Sequence, residues 1–378
     1  MKKLALTVFL VAFVLSLLGL VLVMSASSTY SAFKFDSLFH LFSSHFSKVV
    51  AGILFMVVFA IVPYENYKKY SKYLLLLSIG LLLLTFIAAP NIKGAGRWIN
   101  LGFTTFQPAD MARLAVIIHL AALIERKGND IENFKHGFIY LIIWVMVAAV
   151  LIFVQPNLSN GILVLIISIA MLYAGGAKSK HILVSMGFCS VLGGVGAMCF
   201  THSRERILTF IHSFSTGGDI NIQVRKALLG LGSGGIFGVG LGYSRQSNLF
   251  LPEAYGDFIF AILGEELGFI GSVMVLFAYL VLFIAGILIA KKCRDVFGQL
   301  LAFGISISVL VNAFINIAVA TGLVPTTGLP LPFISYGGTS LLFMCISIGI
   351  LFNIGFTNAA REKRAIESKQ NLIMEESW

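Results

Sequence analysis

The sequence predicts an all-α integral membrane protein with about ten transmembrane helices, and three observations support this. Hydrophobic residues make up 58% of the 378 residues and charged residues only 12%, whereas ordinary soluble domains carry about 25% charged residues. Apolar stretches recur along the chain, most of them close to the roughly 20 residues that a helix needs to cross the hydrocarbon core. Lys and Arg concentrate in alternate connecting segments, as membrane orientation requires.

The elements follow from the apolar stretches in order. The first follows Lys2 and Lys3; it is too long for a signal-peptide core and lacks a convincing cleavage site, which indicates a retained helix. The fifth and sixth are separated by Gln155–Asn160, where proline and asparagine favour a tight turn over one long helix. The predicted helices cover residues 4–24, 46–62, 73–89, 108–124, 137–154, 160–174, 181–200, 267–290, 297–321 and 339–358.

The positions of Lys and Arg predict that both termini lie in the cytoplasm. With that orientation, the inner segments hold 17 basic residues. The short outer loops hold four, which are Lys34, Lys48, Lys93 and Arg97. Long loops cross the membrane largely regardless of charge, so the long outer segment is left out of this comparison.

Charge and cysteine content exclude several classes of function. The net charge of +10 lies in short runs between apolar stretches, which indicates membrane orientation and no nucleic acid partner. The four cysteines show no C-x-x-C spacing and the seven histidines form no ligand motif, so neither a disulfide framework nor a zinc site is predicted. The predicted organisation is a single polytopic membrane domain over 1–358, with an extracytoplasmic loop over about 201–266 between helices seven and eight, and a cytoplasmic tail over 359–378.

Two outer segments have unusual compositions. Residues 230–235 fit G-x-G-x-x-G, but no strand precedes them and they face away from cytoplasmic nucleotides, so a dinucleotide site is rejected. The alternatives are a flexible turn, or close backbone approach to a bulky ligand or a neighbouring helix. Residues 322–338 carry no charge but three prolines and four glycines. This composition predicts a rigid re-entrant or capping loop, which must be buried by protein if it lies at membrane depth.

Acidic residues mark the end of the long outer segment. Asp257 stands where this segment meets an apolar run, and partial desolvation there would make its carboxylate a better general base. From position alone, a solvated interfacial acid or a helix N-cap is the favoured interpretation. Glu265 and Glu266 lie about two turns further on, in an otherwise apolar region where acids are expensive and usually functional.

Two polar pairs lie within predicted helices. Arg113 follows Asp110 by three residues, so the two charges could neutralise each other. Alternatively, the Arg113 guanidinium faces a cavity and binds a phosphate. Asn312 and Asn316 lie one turn apart, which favours hydrogen bonding between helices over cavity lining.

Taken together, the motifs resemble the SEDS family (shape, elongation, division and sporulation). The resemblance covers nearly the whole chain, with the motifs in the family's order. They are Gly94–Gly102 with Gln107–Asp110, Gln155–Asn157, Gly232–Gly268 and Pro325–Ser340. The end of helix one at Ser25–Ser28 and the block Gly264–Gly268 are more similar to the division branch, FtsW, than to the elongation branch, RodA.

The resemblance implies an inverting peptidoglycan glycosyltransferase that polymerises lipid II at the outer face of the bacterial cytoplasmic membrane, in division or elongation. Asp257 matches the family's essential acid and is the implied catalytic base. The implied substrate-binding residues are Arg97, Arg113, Arg245, Gln246, Glu253 and Ser335. The resemblance assigns no metal-binding residue and leaves room for a divalent cation as cofactor. The implied partners are a class B penicillin-binding protein and other divisome or elongasome membrane proteins, with lipid II and undecaprenyl-pyrophosphate-linked glycan as substrates.

The chain departs from the family pattern at several of these motifs. Asp110 and Arg113 stand where Glu and Lys are common, and Asn157 stands where Asp is common. Ser247 replaces a lysine, and Tyr255 occupies part of a usual His-Thr pair. These departures keep two other functions open. One is a lipid II flippase, which would need a cavity with alternating access from both sides. The other is a non-catalytic scaffold that recruits a penicillin-binding protein.

Overall fold

The structure is a computed structural model that describes residues 1–88, 96–100, 102, 105–216, 221–248 and 250–376. Within the predicted outer loops, Lys93, Gly94, Ala95 and Leu101 lie outside the described residues. The helices are α1 (Lys2–Phe35), α2 (His40–Ile61), α3 (Glu65–Ala88), α4 (Pro108–Lys127), α5 (Ile139–Val154), α6 (Leu158–Ala174), α7 (Ser179–Cys199), α8 (Thr201–Thr216), α9 (Ile222–Ser233), α10 (Ile259–Lys292), α11 (Val296–Ala320) and α12 (Thr339–Glu376). The strands β1 (Ile99–Asn100) and β2 (Thr105–Phe106) form a small antiparallel hairpin.

The predicted fold class, an all-α integral membrane protein, is confirmed, and each of the ten predicted stretches falls on a helix of the structure. Among the described residues, seven helical segments are long and apolar enough to cross a membrane, and α6 is apolar but shorter. Helices α8 and α9 are additional elements within the predicted outer segment. They are short and amphipathic, so a hydropathy scan, which detects long apolar stretches, does not detect them.

Two predicted boundaries are wrong. The sequence predicts an outer segment up to residue 266, but α10 begins at Ile259 and contains both glutamates. Glu265 and Glu266 interrupt the apolar pattern, yet both carboxylates accept hydrogen bonds from distant segments and are therefore tolerated in a buried helix. Similarly, the sequence predicts that the second helix begins at residue 46, but α2 begins at His40. Lys48, which the sequence places with the short outer loops, therefore lies two turns inside the helix.

Helix α4 lies at the centre of the bundle. It contacts α3, α5, α6, α11 and α12, and the side chains from Pro108 to Ile124 are buried except that of Met111. The large apolar residues of these helices form one continuous core around it. Because α4 is surrounded by protein on all sides, any charged group along its buried part must be neutralised locally.

The loop between α11 and α12 is irregular, and most of its second half, over residues 329–335, is buried, as its composition predicts for a loop at membrane depth. The side chains of Leu331, Phe333 and Ile334 are at most 1% exposed. The hydroxyl of Tyr279 on α10 donates a hydrogen bond of 2.5 Å to the Pro332 carbonyl. On α1, a Cβ at Gly19 would lie 2.7 Å from the Phe333 carbonyl oxygen, so only glycine permits this approach. Protein therefore satisfies and covers backbone that lipid could not accommodate.

Candidate active site

Asp257 lies in a turn over residues 251–258 that leads directly into α10, and side chains from two other segments hold this turn. The side-chain amide nitrogen (Nδ2) of Asn316 on α11 donates to the Asp257 carbonyl at 2.8 Å and to the Leu329 carbonyl at 2.7 Å. The hydroxyl of Ser335 donates to the Gly256 carbonyl at 2.8 Å. The Asp257 backbone is thus fixed to the buried loop between α11 and α12, which gives its carboxylate a defined position.

The contacts of Asn316 differ from the interhelical bonding that the sequence favours. Asn316 binds backbone carbonyls of two loops, so it positions the Asp257 turn instead of joining two helices. Asn312, one turn earlier, is fully buried, and neither of its polar side-chain atoms has a hydrogen-bond partner among the described residues.

Arg206 of α8 lies beside the Asp257 carboxylate. Burial lowers the pKa of the Arg206 guanidinium from its ordinary value, and the negative charge of Asp257 opposes that change. The Arg206 Nη1 atom also donates to the Thr326 carbonyl at 3.2 Å. A Cβ placed on Gly328 would lie 3.6 Å from Asp257 Oδ2 and 4.0 Å from Arg206 Nη1. Both charged groups therefore border the same space next to Gly328.

Arg97 brings a second guanidinium to this region. Its Nε atom donates to the Gln155 carbonyl at 3.2 Å, and its Nη2 atom donates to the Pro156 carbonyl. Burial lowers the pKa of Arg97, and the positive charge of Arg206 lowers it further. That coupling places the two arginines close enough to repel, and an anion bound between them would relieve the repulsion.

A cavity of about 280 Å³ opens beside Arg206. It lies between α8, α9 and the segment that follows α11. Its lining is largely apolar, with Phe210, Val224, Leu228 and Val324 around the arginine. The cavity thus joins an apolar volume to a cationic edge, a combination that suits a ligand with a lipid part and an anionic part.

The glycine-rich segment after α9 packs directly on α10, at the point where α10 bends. A Cβ on Gly234 would lie 2.0 Å from the Gly264 carbonyl oxygen, and one on Gly238 would lie 2.1 Å from the Glu266 carbonyl oxygen. The bend occurs at Gly268, whose φ of 69° is left-handed and suits glycine. The sequence left open whether this glycine-rich segment is a flexible turn or allows close backbone approach. The structure supports close backbone approach to a neighbouring helix, α10.

Glu265 organises the segment that carries Arg245 and Gln246. Its carboxylate accepts hydrogen bonds from the backbone nitrogens of Arg245 at 3.0 Å and Gln246 at 3.3 Å, and from the hydroxyls of Ser233 and Ser244. This arrangement leaves the Arg245 side chain exposed. The described contacts place Arg245 and Gln246 beside Glu265. None of these contacts joins Arg245 or Gln246 to Arg97 or Arg206.

Sequence comparison decides the family. The family of cell cycle proteins that comprises FtsW, RodA and SpoVE matches residues 5–360. The chain belongs to this family. A Geobacter sp. (strain M18) protein named "Probable peptidoglycan glycosyltransferase FtsW" is 39% identical over 354 residues, which cover 92% of this chain and 95% of that protein. Stage V sporulation protein E of Bacillus subtilis (strain 168) is 35% identical over 348 residues, 91% of this chain and 95% of that protein.

Solved structures share the fold of this SEDS protein. One similar chain comes from work on the "structural coordination of polymerization and crosslinking by a peptidoglycan synthase complex". It has a TM-score of 0.74 and 22% identity, with 93% of this chain and 97% of that chain covered. The rod shape determining protein RodA of Thermus thermophilus has a TM-score of 0.67 and 22% identity, with 93% and 96% covered.

Within this SEDS fold, Arg113 is bonded to residues of α4 and α6. Its guanidinium is 3.4 Å from the Asp110 carboxylate and donates to Asn160 Oδ1 at 3.3 Å, and the two charged side chains are at most 5% exposed. Asp110 also accepts a hydrogen bond from Thr339 at 3.1 Å. The pair therefore neutralises itself inside the bundle, which is one of the two alternatives that the sequence leaves open.

Glu253 belongs to the Asp257 turn, and Ser335 binds this turn from the loop between α11 and α12. Glu253 adopts a left-handed φ of 57°, and its carbonyl accepts a hydrogen bond from Gly256 at 3.0 Å. Ser335 is 2% exposed and hydrogen-bonded within the protein, so it positions the turn. Among the described residues, no group of three or more His, Cys, Asp or Glu side chains could hold a metal ion.

Arg206 is the site residue that the sequence does not reveal. It belongs to an amphipathic run, and Arg204 lies two residues before it. In the structure Arg204 is exposed, whereas Arg206 is partly buried against Asp257. No local signal separates the two arginines, because the difference arises from how α8 packs over the loop at Thr326.

Proposed function

We propose that the protein is an inverting peptidoglycan glycosyltransferase that polymerises lipid II, with Asp257 as its general base. The observation that carries this proposal is a fixed carboxylate with Arg206 beside it and Arg97 next to that arginine. The names of the Geobacter relatives, which share more than a third of their sequence with this chain, support the same reaction.

The reaction joins two lipid-linked sugars. The donor is a glycan strand whose terminal sugar is α-linked through C1 to undecaprenyl pyrophosphate. As the 4-hydroxyl of the incoming lipid II attacks C1, Asp257 accepts the hydroxyl proton. The bond between C1 and the pyrophosphate oxygen breaks, its electron pair leaves with the pyrophosphate, and a β-1,4 link forms. Asp257 then returns its proton to water before the next cycle.

The two arginines stabilise the leaving group. Negative charge grows on the pyrophosphate oxygen as the bond to C1 breaks, and donors already in place stabilise such charge effectively. Guanidinium groups match the geometry of phosphate oxygens. Pyrophosphate between Arg97 and Arg206 also removes their mutual repulsion, so the product is held until it diffuses into the bilayer. The apolar cavity beside Arg206 gives the lipid end of the donor a surface to lie on.

The decisive experiment is polymerisation of lipid II by the purified full-length protein, with and without its partner. Glycan strands that depend on this protein support the proposal. If the wild-type protein and its partner together make no strands, but lipid II crosses vesicle membranes in their presence, the protein is a lipid II flippase. If neither activity is found, the protein is a non-catalytic scaffold.

We further propose that both termini are cytoplasmic and that Asp257 faces outward. The support is the excess of basic residues in the inner segments. In a cysteine-free background, Glu205→Cys on α8 should react with a membrane-impermeant thiol reagent in intact spheroplasts. Asn129→Cys, which is also exposed, should react only after the membrane is opened. The reverse pattern would overturn the orientation and, with it, an extracytoplasmic site.

We propose a class B penicillin-binding protein as the stable partner. Glycan strands must be cross-linked, and the sequence lacks the S-D-N and K-T-G motifs that accompany S-x-x-K in transpeptidases. A structurally similar chain comes from a peptidoglycan synthase complex that coordinates polymerization and crosslinking, which supports the same kind of partner here. The tagged chain should therefore co-purify with such a protein from membranes in several mild detergents. Isolation of the chain alone in all of them, at matched yield, would contradict this.

The buried Arg113 pair makes a separate prediction. Arg113→Gln leaves the Asp110 carboxylate buried without its cation, which typically destabilises by about 3–5 kcal/mol. The double variant Asp110→Asn with Arg113→Gln should recover most of the thermal stability and the polymerisation rate. A double variant that is stable but inactive would instead assign Arg113 to substrate binding.

A further inference from the structure

Lys48 carries a positive charge two turns inside α2, a helix long and apolar enough to span the membrane. It is half-buried, and within the described part of the chain no carboxylate lies within ion-pair distance of it. Its Nζ atom lies 4.3 Å from the centre of the Tyr336 ring and donates to the Tyr336 hydroxyl at 3.1 Å. A lysine at such a depth is expensive without a counter-charge, and such residues usually serve a ligand.

The neighbours of Lys48 have unused hydrogen-bonding capacity. The Ser44 hydroxyl lies 3.2 Å from the same Tyr336 hydroxyl. His45 is fully buried with its ring 5.6 Å from that of Tyr336, and neither ring nitrogen has a hydrogen-bond partner among the described residues. Because a buried polar group without a partner is destabilising, an anionic or hydroxylated ligand that formed hydrogen bonds here would stabilise the cluster.

Tyr336 connects this cluster to the Asp257 turn. Its backbone nitrogen donates to the Tyr255 carbonyl at 2.9 Å, and the two rings meet edge to face at 5.5 Å. Tyr30 of α1 packs on the other side, 5.4 Å from the Tyr255 ring. Tyr255 precedes Asp257 by two residues, so aromatic rings line the route from Lys48 to the proposed base. Arg206 reaches the same base from α8.

We propose that Lys48 and Tyr336 form a second phosphate subsite, which holds the pyrophosphate of the acceptor lipid one disaccharide away from Asp257. This inference rests on the proposed function, because joining two lipid-linked sugars requires places for two pyrophosphates. The donor pyrophosphate leaves from the face of C1 opposite the attacking hydroxyl, so it lies within about one sugar ring of the base, at Arg206 and Arg97. The acceptor reacts through a hydroxyl at one end of its disaccharide and carries its pyrophosphate at the other end.

The chemistry between the two subsites suits a sugar. Tyrosine rings offer an apolar face together with a polar hydroxyl, a combination that packs against sugar rings and still satisfies their hydroxyls. Lysine binds phosphate as a point charge, which tolerates a ligand that shifts forward after each addition. The competing explanation is that Lys48 extends along the helix towards the headgroups of bulk phospholipid, as lysines near membrane surfaces do.

The test uses the full-length protein in its complex with the partner. Preformed lipid-linked strands are supplied in excess as donor, and lipid II is varied. Lys48→Gln should raise the KM for lipid II about 10- to 100-fold, the loss expected for one charge-assisted hydrogen bond, and should lower kcat by no more than a few-fold. Lys48→Arg should stay within a few-fold of wild type. Lys180→Gln, which removes an exposed lysine at the start of α7, should change neither constant.

Direct binding separates this inference from the proposed function. In zwitterionic nanodiscs, a short-chain lipid II should bind the Lys48→Gln variant at least tenfold more weakly than the wild type, even if the wild type proves unable to polymerise. Phosphatidylglycerol should bind both proteins alike. Unchanged affinity and KM in a variant with wild-type thermal stability would overturn the subsite. So would a selective loss of phosphatidylglycerol binding, which would assign Lys48 to bulk lipid.

Discussion

Replacing Asp257 with asparagine should stop lipid II polymerisation while leaving a folded membrane protein that still binds lipid II. The amide keeps the shape of the carboxylate but cannot accept the proton of the attacking hydroxyl. A general base contributes about 10²–10⁴-fold, so a trace of residual product is compatible with the role and a two-fold loss is not. The measurement is glycan strand formation from labelled lipid II, with binding followed in parallel. Asp36→Asn is the matched control, since it changes an exposed acid at the end of α1 in the same way.

The glutamate variant tests whether position matters as well as charge. Asn316 binds the Asp257 carbonyl and Ser335 binds the Gly256 carbonyl, so the turn is held in place and cannot shift to accommodate a longer side chain. One extra methylene displaces the carboxylate by about 1 Å, and a misplacement of that size can reduce the rate about 10²-fold. Asp257→Glu should therefore be nearly inactive. An asparagine variant that polymerises normally would show that another group removes the proton.

Hydropathy and composition were enough to predict the bundle, because each lipid-crossing helix satisfies its own backbone hydrogen bonds and must be apolar over its own length. The same reasoning located the uncharged loop between α11 and α12 and required it to be buried. Asp257 drew attention by its place at the boundary between a polar segment and an apolar one, but only the family resemblance implied its role as the base.

The remaining features depend on contacts between distant segments. The true start of α10 was hidden because the partners of Glu265 lie some twenty or more residues earlier, at Ser233 and Ser244. The i−3 spacing correctly suggested that Arg113 pairs with Asp110, but nothing local indicated Asn160 as a third member. Lys48 was counted with the outer loops because it lies near the predicted start of the second helix at residue 46, and the sequence does not show that α2 begins a further six residues earlier.

Arg206 should prove nearly as important as Asp257, and α8 provides its own control. If Arg206 stabilises the charge that develops on the departing pyrophosphate, Arg206→Gln should lower kcat by about 10²–10³-fold, the effect typical of losing one preorganised donor to a developing anion. Arg204→Gln makes the same change of charge two residues away on an exposed position, so it should stay within two-fold of wild type.

The alternative is that Arg206 only holds α8 in place through the Thr326 carbonyl. A structural role predicts lower thermal stability and equal damage to lipid II binding and turnover. The catalytic role predicts intact folding, a loss mainly in kcat, and partial recovery in Arg206→Lys, which keeps the charge but loses the second guanidinium donor. Since Arg97 binds the same leaving group, the double change Arg97→Gln with Arg206→Gln should cost less than the product of the two single losses. Strictly multiplicative losses would mean that the two arginines act at separate sites, and the shared pyrophosphate position would have to be abandoned.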